Sequence, residues 1–135
     1  MGEDIERRLN SRLNRVKDKR SNCIGTALFL VEEVKRDRYM LTLRCYEERL
    51  RKLKEVSPPQ EGCLIAWINT RNLETMHLGI VTNASPILVT SRRGREGSLH
   101  LNDPLNEVND EYRGKGIEVR YFLPTIIEKE GSQSL

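Results

Sequence analysis

The sequence predicts an α+β protein in which N-terminal helices pack on one face of an antiparallel β-sheet. Apolar residues recur at helical spacing over the first 55 residues, whereas short runs rich in β-branched residues, bounded by turn residues, fill the rest. Pro58 and Pro59 separate the two parts, because proline cannot continue a helix. No repeat, low-complexity tract or linker divides the chain, so we expect one domain over residues 1–135.

Three helices are predicted before the prolines. Residues 3–20 carry one apolar stripe on a charged surface, formed by Ile5, Leu9, Leu13 and Val16. A second helix, from about Cys23 to Lys35, is apolar over most of its surface, so we expect it in the core. Ser21 or Asn22 can cap it, because their side-chain oxygens accept backbone N–H bonds. A third helix is predicted over about 41–55.

Strands are predicted after residue 60. Four runs have strand character, at residues 63–68, 77–82, 86–91 and 117–123. The sequence NASP between the second and third runs predicts a hairpin turn, and residues 98–102 fit either a fifth strand or a loop. We expect the polar residues 128–135 to form a flexible tail.

Composition narrows the functional classes. The formal net charge of +3 does not by itself imply a nucleic-acid partner, although residues 1–60 carry 15 Lys and Arg against 10 Asp and Glu. No apolar run is long enough for a membrane span or a signal peptide, so we expect a cytoplasmic protein without a membrane partner. Three irregularly spaced cysteines, and no cluster with metal-ligand spacing, predict free thiols, no cofactor and no metal.

Cys23 is the candidate nucleophile. The first N–H groups of a helix are unpaired and its dipole is positive there, so a thiol at that place ionises more easily. The same N–H groups can stabilise an oxyanion. Cys45 lies within a predicted helix and Cys63 opens a strand, so neither has this advantage. The position of Cys23 also fits a buried structural cysteine, since free Cys is among the most buried residue types.

His77 is the candidate base, because a cysteine nucleophile needs one and the chain has only two histidines. It opens the run HLGIVT, at the mouth of a predicted central strand. His100 lies near Asp103, and we expect it at the surface. A partly buried His77 with a backbone hydrogen bond explains the same position equally well.

The order of three motifs along the chain is similar to the order found in a known group of families. A cysteine opens a helix, EGCLIAW leads into a strand, and HLGIV and ILVTSR follow. Residues 22–91 thereby resemble papain-like proteins of the NlpC-like peptidase and CHAP-like amidohydrolase type. In those families a G-D-x-x-x-F/W strand follows the cysteine helix, and the histidine that opens an H-V-G-I strand is catalytic. The resemblance implies a papain-like fold and a Cys23–His77 pair.

The sequence departs from the family pattern at two places. Cys63 stands where those families usually have Asp after glycine. The residue that holds the histidine ring is usually His, Asn, Asp or Glu on the next strand, whereas here Ser91 lies closest to that place, with Thr90 beside it. A serine hydroxyl orients an imidazole but stabilises its cation less than a carboxylate does. Asn69 and Asn83 are alternatives for this third residue.

Other residues complete the expected site. Asn22 or Ser21 is a candidate oxyanion donor, and Trp67 is expected in the core or in the cleft wall near His77. Arg92, in the sequence SRRGREGS, is a candidate clamp for a carboxylate or phosphate. A Gly/Arg loop is more often a solvated turn.

The function implied by the resemblance is a cysteine hydrolase, a peptidase or amidase that works by acyl transfer. The missing export signal argues against peptidoglycan, so we expect a peptide, amide or thioester substrate. One alternative is a catalytically inactive papain-like scaffold that binds a partner or ligand in the same groove. A weaker alternative is a nucleic-acid or protein-binding module that uses the basic N-terminal helix and the arginine loop.

Overall fold

The computed structural model of the protein describes residues 2–16, 21–37, 49–94 and 97–133. Its helices are α1 (Glu3–Val16), α2 (Cys23–Leu30), α3 (Leu105–Glu111) and α4 (Thr125–Gln133). Its strands are β1 (Lys54–Val56), β2 (Leu64–Asn69), β3 (Glu74–Ala84), β4 (Ile87–Arg93), β5 (Ser98–Pro104) and β6 (Ile117–Leu123). Within these ranges the strands form one antiparallel six-stranded sheet in the order β1-β6-β2-β3-β4-β5. The predicted α+β class with an antiparallel sheet is therefore confirmed.

The sheet is covered on both faces, because alternate side chains of a strand point to opposite sides. The α2 face consists of strand side chains that pack with α2 and α1: Leu64, Ala66, Ile68, Leu78, Ile80 and Phe122. The α3 face consists of side chains that pack with Val108 of α3 and Ile127 of α4: Cys63, Ile65, Trp67, Val81, Val89 and Leu123. The N-terminal helix α2 covers one face as predicted, whereas the covering of the opposite face by α3 was not predicted.

The start of α2 agrees with the predicted cap. Of the two candidates Ser21 and Asn22, it is Asn22 whose side-chain oxygen accepts a hydrogen bond from the Gly25 N–H at 2.9 Å. Asn22 has the extended backbone of an N-cap residue. The cap fixes Cys23 as the first residue of the helix.

The end of α2 is earlier than predicted. The helix stops at Leu30 and does not reach Lys35. Glu32 takes a left-handed backbone, with φ of 63°, and the Glu33 N–H donates to the Leu28 carbonyl at 2.9 Å. This is a Schellman motif, in which a residue with positive φ satisfies the last carbonyls and turns the chain away. The sequence hides it because glutamate occupies the place where glycine is usual.

The predicted third helix is wrong at its end. Residues 49–52 are helical, but residues 54–56 form β1, which pairs with residues 121–123 of β6. Residues 38–48, with Cys45, lie outside the described residues.

The remaining predictions differ from the structure mainly in length. β6 has the predicted bounds, β2 and β4 lie close to theirs, and β3 is longer at both ends. The ambiguous residues 98–102 belong to a strand, β5. α1 is described to Val16, and residues 17–20 of the predicted helix lie outside the described ranges. Residues 128–133 are helical within α4, and the flexibility of the tail stays a prediction.

Candidate active site

His77 lies on β3 with its side chain fully buried on the α3 face. It is paired across the sheet with Trp67 of β2, and their ring centroids are 5.2 Å apart. Tyr112, directly after α3, stacks on the imidazole with centroids 4.0 Å apart and an interplanar angle of 9°. Two aromatic rings therefore enclose the imidazole.

The two nitrogens of the His77 ring have different surroundings. Nε2 lies 2.9 Å from the Oγ of Ser91, within hydrogen-bond distance. Nδ1 is buried and has no hydrogen-bond partner among the residues that the structure describes. Buried polar atoms nearly always have a partner, so the unpartnered Nδ1 calls for an explanation such as a functional role or a bound water. The structure thus brings together His77 and Ser91, which the sequence analysis proposed as base and third residue.

Gly79 explains how Ser91 comes so close to β3. A Cβ at this position would lie 2.9 Å from the Cβ of Ser91 and 2.9 Å from Cγ1 of Val89, too close for real side chains. Ser91 and Val89 point toward His77 and Gly79 because residues two apart on a strand share a face. The glycine of HLGIV is therefore needed for the close approach of β4.

The imidazole of His77 is neutral at neutral pH. Burial lowers its pKa to about 3, because a buried ring is poorly solvated as a cation, and the positive charge of Arg93 acts in the same direction. Arg93 is itself paired with Asp103 at 2.5 Å and with Glu111 at 2.6 Å. The carboxylates keep its guanidinium beside the α3 face.

Cys23 is half-buried and packs against the α2-face side chains. Burial raises the pKa of its thiol, while the N–H groups of Leu78, Ile24 and Cys23 itself act in the opposite direction. The predicted effect of the helix start is therefore present, but the prediction of an easily ionised Cys23 is wrong in its net direction. The reason is desolvation, which disfavours the thiolate more than the N–H groups favour it.

The Cys23 sulfur lies beside the backbone of Leu78 and has no hydrogen bond to the His77 ring in the described residues. The Leu78 N–H that acts on the sulfur belongs to the residue directly after His77. The first paired positions of β3 and β4 are Ile80 and Thr90. Within the described residues, Leu78 of β3 therefore has no paired residue on β4. No hydrogen bond links the Cys23 sulfur to the imidazole in the described part of the protein.

Tyr112 interacts with both His77 and Cys23. Its ring stacks on His77, and its pKa is raised to about 12 by burial first and then by the charges of Glu111 and Cys23. The charge of Cys23 therefore acts on the tyrosine that stacks on His77. Sequence reasoning missed Tyr112, whose one signal is an aromatic residue in the polar sequence NDEYRG.

Three predicted binding residues have structural roles. Asn22 caps α2. Thr90 is buried, and its hydroxyl accepts a hydrogen bond from the Asn102 N–H at 3.0 Å. Trp67 is buried beside His77, and its Nε1 donates to the side-chain oxygen of Asn109 at 2.9 Å. Of these three, Trp67 alone lies against His77.

Arg92 is not a ligand clamp on a solvated loop. Its side chain is 4% exposed and forms an ion pair with Asp37, whose side chain is 1% exposed, at 3.3 Å. Its nitrogens also donate to the hydroxyl of Thr26 at 2.6 Å and to the carbonyls of Val16 and Gly97. The correction has a physical reason: the alternation of β4 sends Arg92 to the α2 face, where protein acceptors take its donors.

The described ranges contain neither a metal-binding cluster nor a membrane-spanning helix. They contain no group of three or more His, Cys, Asp or Glu side chains able to hold a metal ion. None of their helices has the length and apolar character needed to span a bilayer.

Comparisons of the chain with known protein families, with curated proteins and with solved structures gave no match.

Proposed function

We propose that the protein is a cysteine hydrolase of papain-like type, with Cys23 as nucleophile, His77 as general base and Ser91 as the residue that holds the imidazole. The observation that carries the proposal is the different surroundings of the two nitrogens of the His77 ring. Ser91 occupies Nε2, and Nδ1 is buried without a partner in the described chain, one residue from the backbone N–H that reaches the sulfur. A base needs one nitrogen fixed and the other available.

The first half of the proposed reaction forms an acyl-enzyme. As the sulfur of Cys23 attacks the carbonyl carbon, the thiol proton passes to Nδ1 of His77 and an oxyanion forms. The N–H groups at the start of α2 stabilise this charge. The C–N bond then breaks, and the leaving amine takes the proton from Nδ1, which leaves a thioester.

The second half regenerates the enzyme. Water attacks the thioester carbonyl and gives a proton to Nδ1 of His77. The C–S bond breaks, the carboxylic acid leaves and the sulfur of Cys23 regains its proton. This sequence requires the tautomer in which Nε2–H donates to the Ser91 hydroxyl, because Nδ1 must be free to accept.

The resting state has a consequence for the rate. The pKa of Cys23 is raised and that of His77 is lowered, so both groups are neutral and no thiolate–imidazolium pair forms before substrate binds. Proton transfer from thiol to imidazole is then uphill and must accompany the attack on the carbonyl. We therefore expect slow reaction with small alkylating agents and faster reaction with an acyl electrophile that occupies the site.

The same two pKa shifts support the second candidate, an inactive papain-like scaffold that binds a partner or ligand in the same groove. A neutral thiol without a hydrogen bond to the imidazole is what a site without catalysis would also show. The proposed ligand class is unchanged: a peptide, an amide or a thioester.

An electrophilic probe separates the two candidates. Wild type and the variants Cys23→Ala, His77→Gln and Ser91→Ala are incubated with a peptidyl vinyl sulfone, and adducts are located by mass spectrometry. Cys63, which is buried and has a raised pKa, serves as the internal reference thiol. We expect an adduct on Cys23, and a rate reduced about 100-fold in His77→Gln, the range typical of a lost general base.

The variants also control for folding. Ser91→Ala removes one hydroxyl and leaves the ring in place, and circular dichroism verifies each fold. Equal labelling of Cys23 and Cys63, unchanged by either His77→Gln or Ser91→Ala, would reject the hydrolase in favour of the scaffold.

A further inference from the structure

The segment that follows β5 closes the α3 face over the imidazole. α3 packs through Val108, which is fully buried, and the Tyr112 N–H donates to the Val108 carbonyl at 3.1 Å as the helix ends. The ring of Tyr112 then lies flat on His77. Val108 and the backbone hydrogen bond hold the backbone of Tyr112 in place. The position of the tyrosine ring is therefore determined by α3.

Two side-chain contacts tie α3 to the sheet around this ring. Trp67 of β2 donates to Asn109 at 2.9 Å, and Arg93 of β4 donates to Glu111 at 2.6 Å. Both contacts come from strands that carry residues of the proposed site, since Trp67 pairs with His77 and Arg93 lies two residues after Ser91. The placement of the tyrosine is therefore coupled to the placement of the proposed base.

We propose that Tyr112 is a positioning residue for the Cys23–His77 reaction, because its stacked ring fixes the plane of the imidazole. This inference rests on the proposed function. Ser91 holds the ring at one atom, Nε2, and a single hydrogen bond does not define a ring plane. Trp67 is tilted by 50° on the imidazole, so the parallel contact comes from Tyr112. Misplacement of a base by an ångström is enough to slow a reaction substantially.

The tyrosine also excludes water from the imidazole, which predicts a measurable change in its titration. Among the described residues, the charge that acts on His77 is that of Arg93 from β4. The hydroxyl of Tyr112 belongs to the stacked ring, and the charges of Glu111 and Cys23 act on that tyrosine. Arg93 keeps its carboxylate partners when Tyr112 is replaced, so its effect on the imidazole is unchanged. Loss of the ring then acts through solvation and raises the pKa of His77.

The first test is histidine NMR between about pH 2.5 and 8 on wild type, Tyr112→Ala, Tyr112→Phe and the control Tyr121→Ala. The chain has two histidines, and the exposed His100 provides the internal reference. Tyr121 is also half-buried on the α3-face cluster. We expect the His77 pKa to stay near its wild-type value of about 3 in Tyr112→Phe and Tyr121→Ala, and to rise by about one unit or more in Tyr112→Ala.

The second test is the rate of vinyl sulfone addition to Cys23 in the same proteins. We expect Tyr112→Ala to react about tenfold more slowly, and Tyr112→Phe to retain the wild-type rate, because the ring and not the hydroxyl does the positioning. A wild-type rate and a wild-type titration in Tyr112→Ala would overturn the inference while the hydrolase stands. If wild-type Cys23 fails to react at all, the proposed function fails and this role fails with it.

Discussion

Arg92 and Arg93 are consecutive residues of β4, and their guanidinium groups lie on opposite faces of the sheet. Arg92 is almost wholly enclosed on the α2 face, where it joins Asp37, Thr26 and two backbone carbonyls. Arg93 is half-buried beside the α3 face, where it lies between two carboxylates and lowers the pKa of His77. One arginine connects elements of the fold, and the other sets the electrostatic surroundings of the candidate site.

The comparison shows how the site is distributed across the sheet. The α2 face supplies the candidate nucleophile at a capped helix start, and the α3 face supplies the enclosed imidazole with its hydrogen-bond partner. The two side chains belong to opposite faces, and the sulfur lies beside the backbone of Leu78, the residue after His77. Stability and reactivity are thus expected to respond differently to changes on the two faces.

The largest expected effect is the loss of stability when the buried ion pair of the α2 face is broken. Arg92→Ala leaves Asp37 as an uncompensated buried charge, so we expect the free energy of unfolding to fall by about 3–5 kcal/mol. Arg93→Ala removes a half-buried charge whose partners reach water, and we expect a loss of about 1 kcal/mol or less. Urea unfolding of both variants measures the difference.

A double variant provides the control. Arg92→Met combined with Asp37→Leu removes both charges, and part of the lost stability should return, because an apolar pair of similar volume needs no desolvation of charge. Equal losses in Arg92→Ala and Arg93→Ala would contradict the distinction between the two arginines.

The next effect is a pH dependence that belongs to the α3 face. The folded pKa of His77 is about 3, below the ordinary value of about 6.5 expected in the unfolded chain. Between these values the unfolded chain binds the extra proton, so stability is complete above about pH 6.5 and falls as the pH is lowered toward 3. Between pH 7 and pH 4 the His77 contribution to the loss is about 3 kcal/mol.

The difference between wild type and His77→Gln isolates this contribution from that of the carboxylates. Stability is measured by urea unfolding at several pH values, with His100→Gln as the matched variant at an exposed histidine. We expect His77→Gln to reduce the loss of stability at acid pH more than His100→Gln does, because His77 is buried and its pKa is lowered. Parallel limbs for wild type and His77→Gln would show that the imidazole is not held neutral.

The sequence predicts the parts of the fold that depend on local pattern. β6 alternates apolar and polar residues between Gly116 and Pro124, and its predicted bounds agree with the structure. Asn22 is a strong helix cap, and it caps α2. β1 was missed because its three residues continue a helical pattern, and only its pairing with the distant β6 makes it a strand. α3 was missed because it buries one residue, Val108, and so has no apolar stripe.

The candidate site, like the fold, could be predicted only in part. Ser91 was expected near His77 from the resemblance to papain-like families, and strand alternation decides between Ser91 and its neighbour Thr90. The pKa direction of Cys23 and the burial of Arg92 could not be predicted, because both depend on which distant elements cover the residue. The type of a side chain determines which chemistry it can perform, whereas the tertiary packing around it determines its burial and its pKa.

A smaller stability effect than that of Arg92→Ala is expected at the contact between β3 and β4. Gly79→Ala places a Cβ 2.9 Å from Ser91 and Val89, so β4 must shift, at a cost of about 1–3 kcal/mol. The matched control is Gly114→Ala, whose Cβ would meet only Ile117 at 3.5 Å, an ordinary contact. The shift moves the Ser91 hydroxyl away from Nε2 of His77, so Gly79→Ala should slow probe addition to Cys23 although it changes no residue of the proposed triad. If Gly79→Ala keeps the wild-type rate while losing stability, the hydrogen bond between Ser91 and His77 serves the fold and not the reaction.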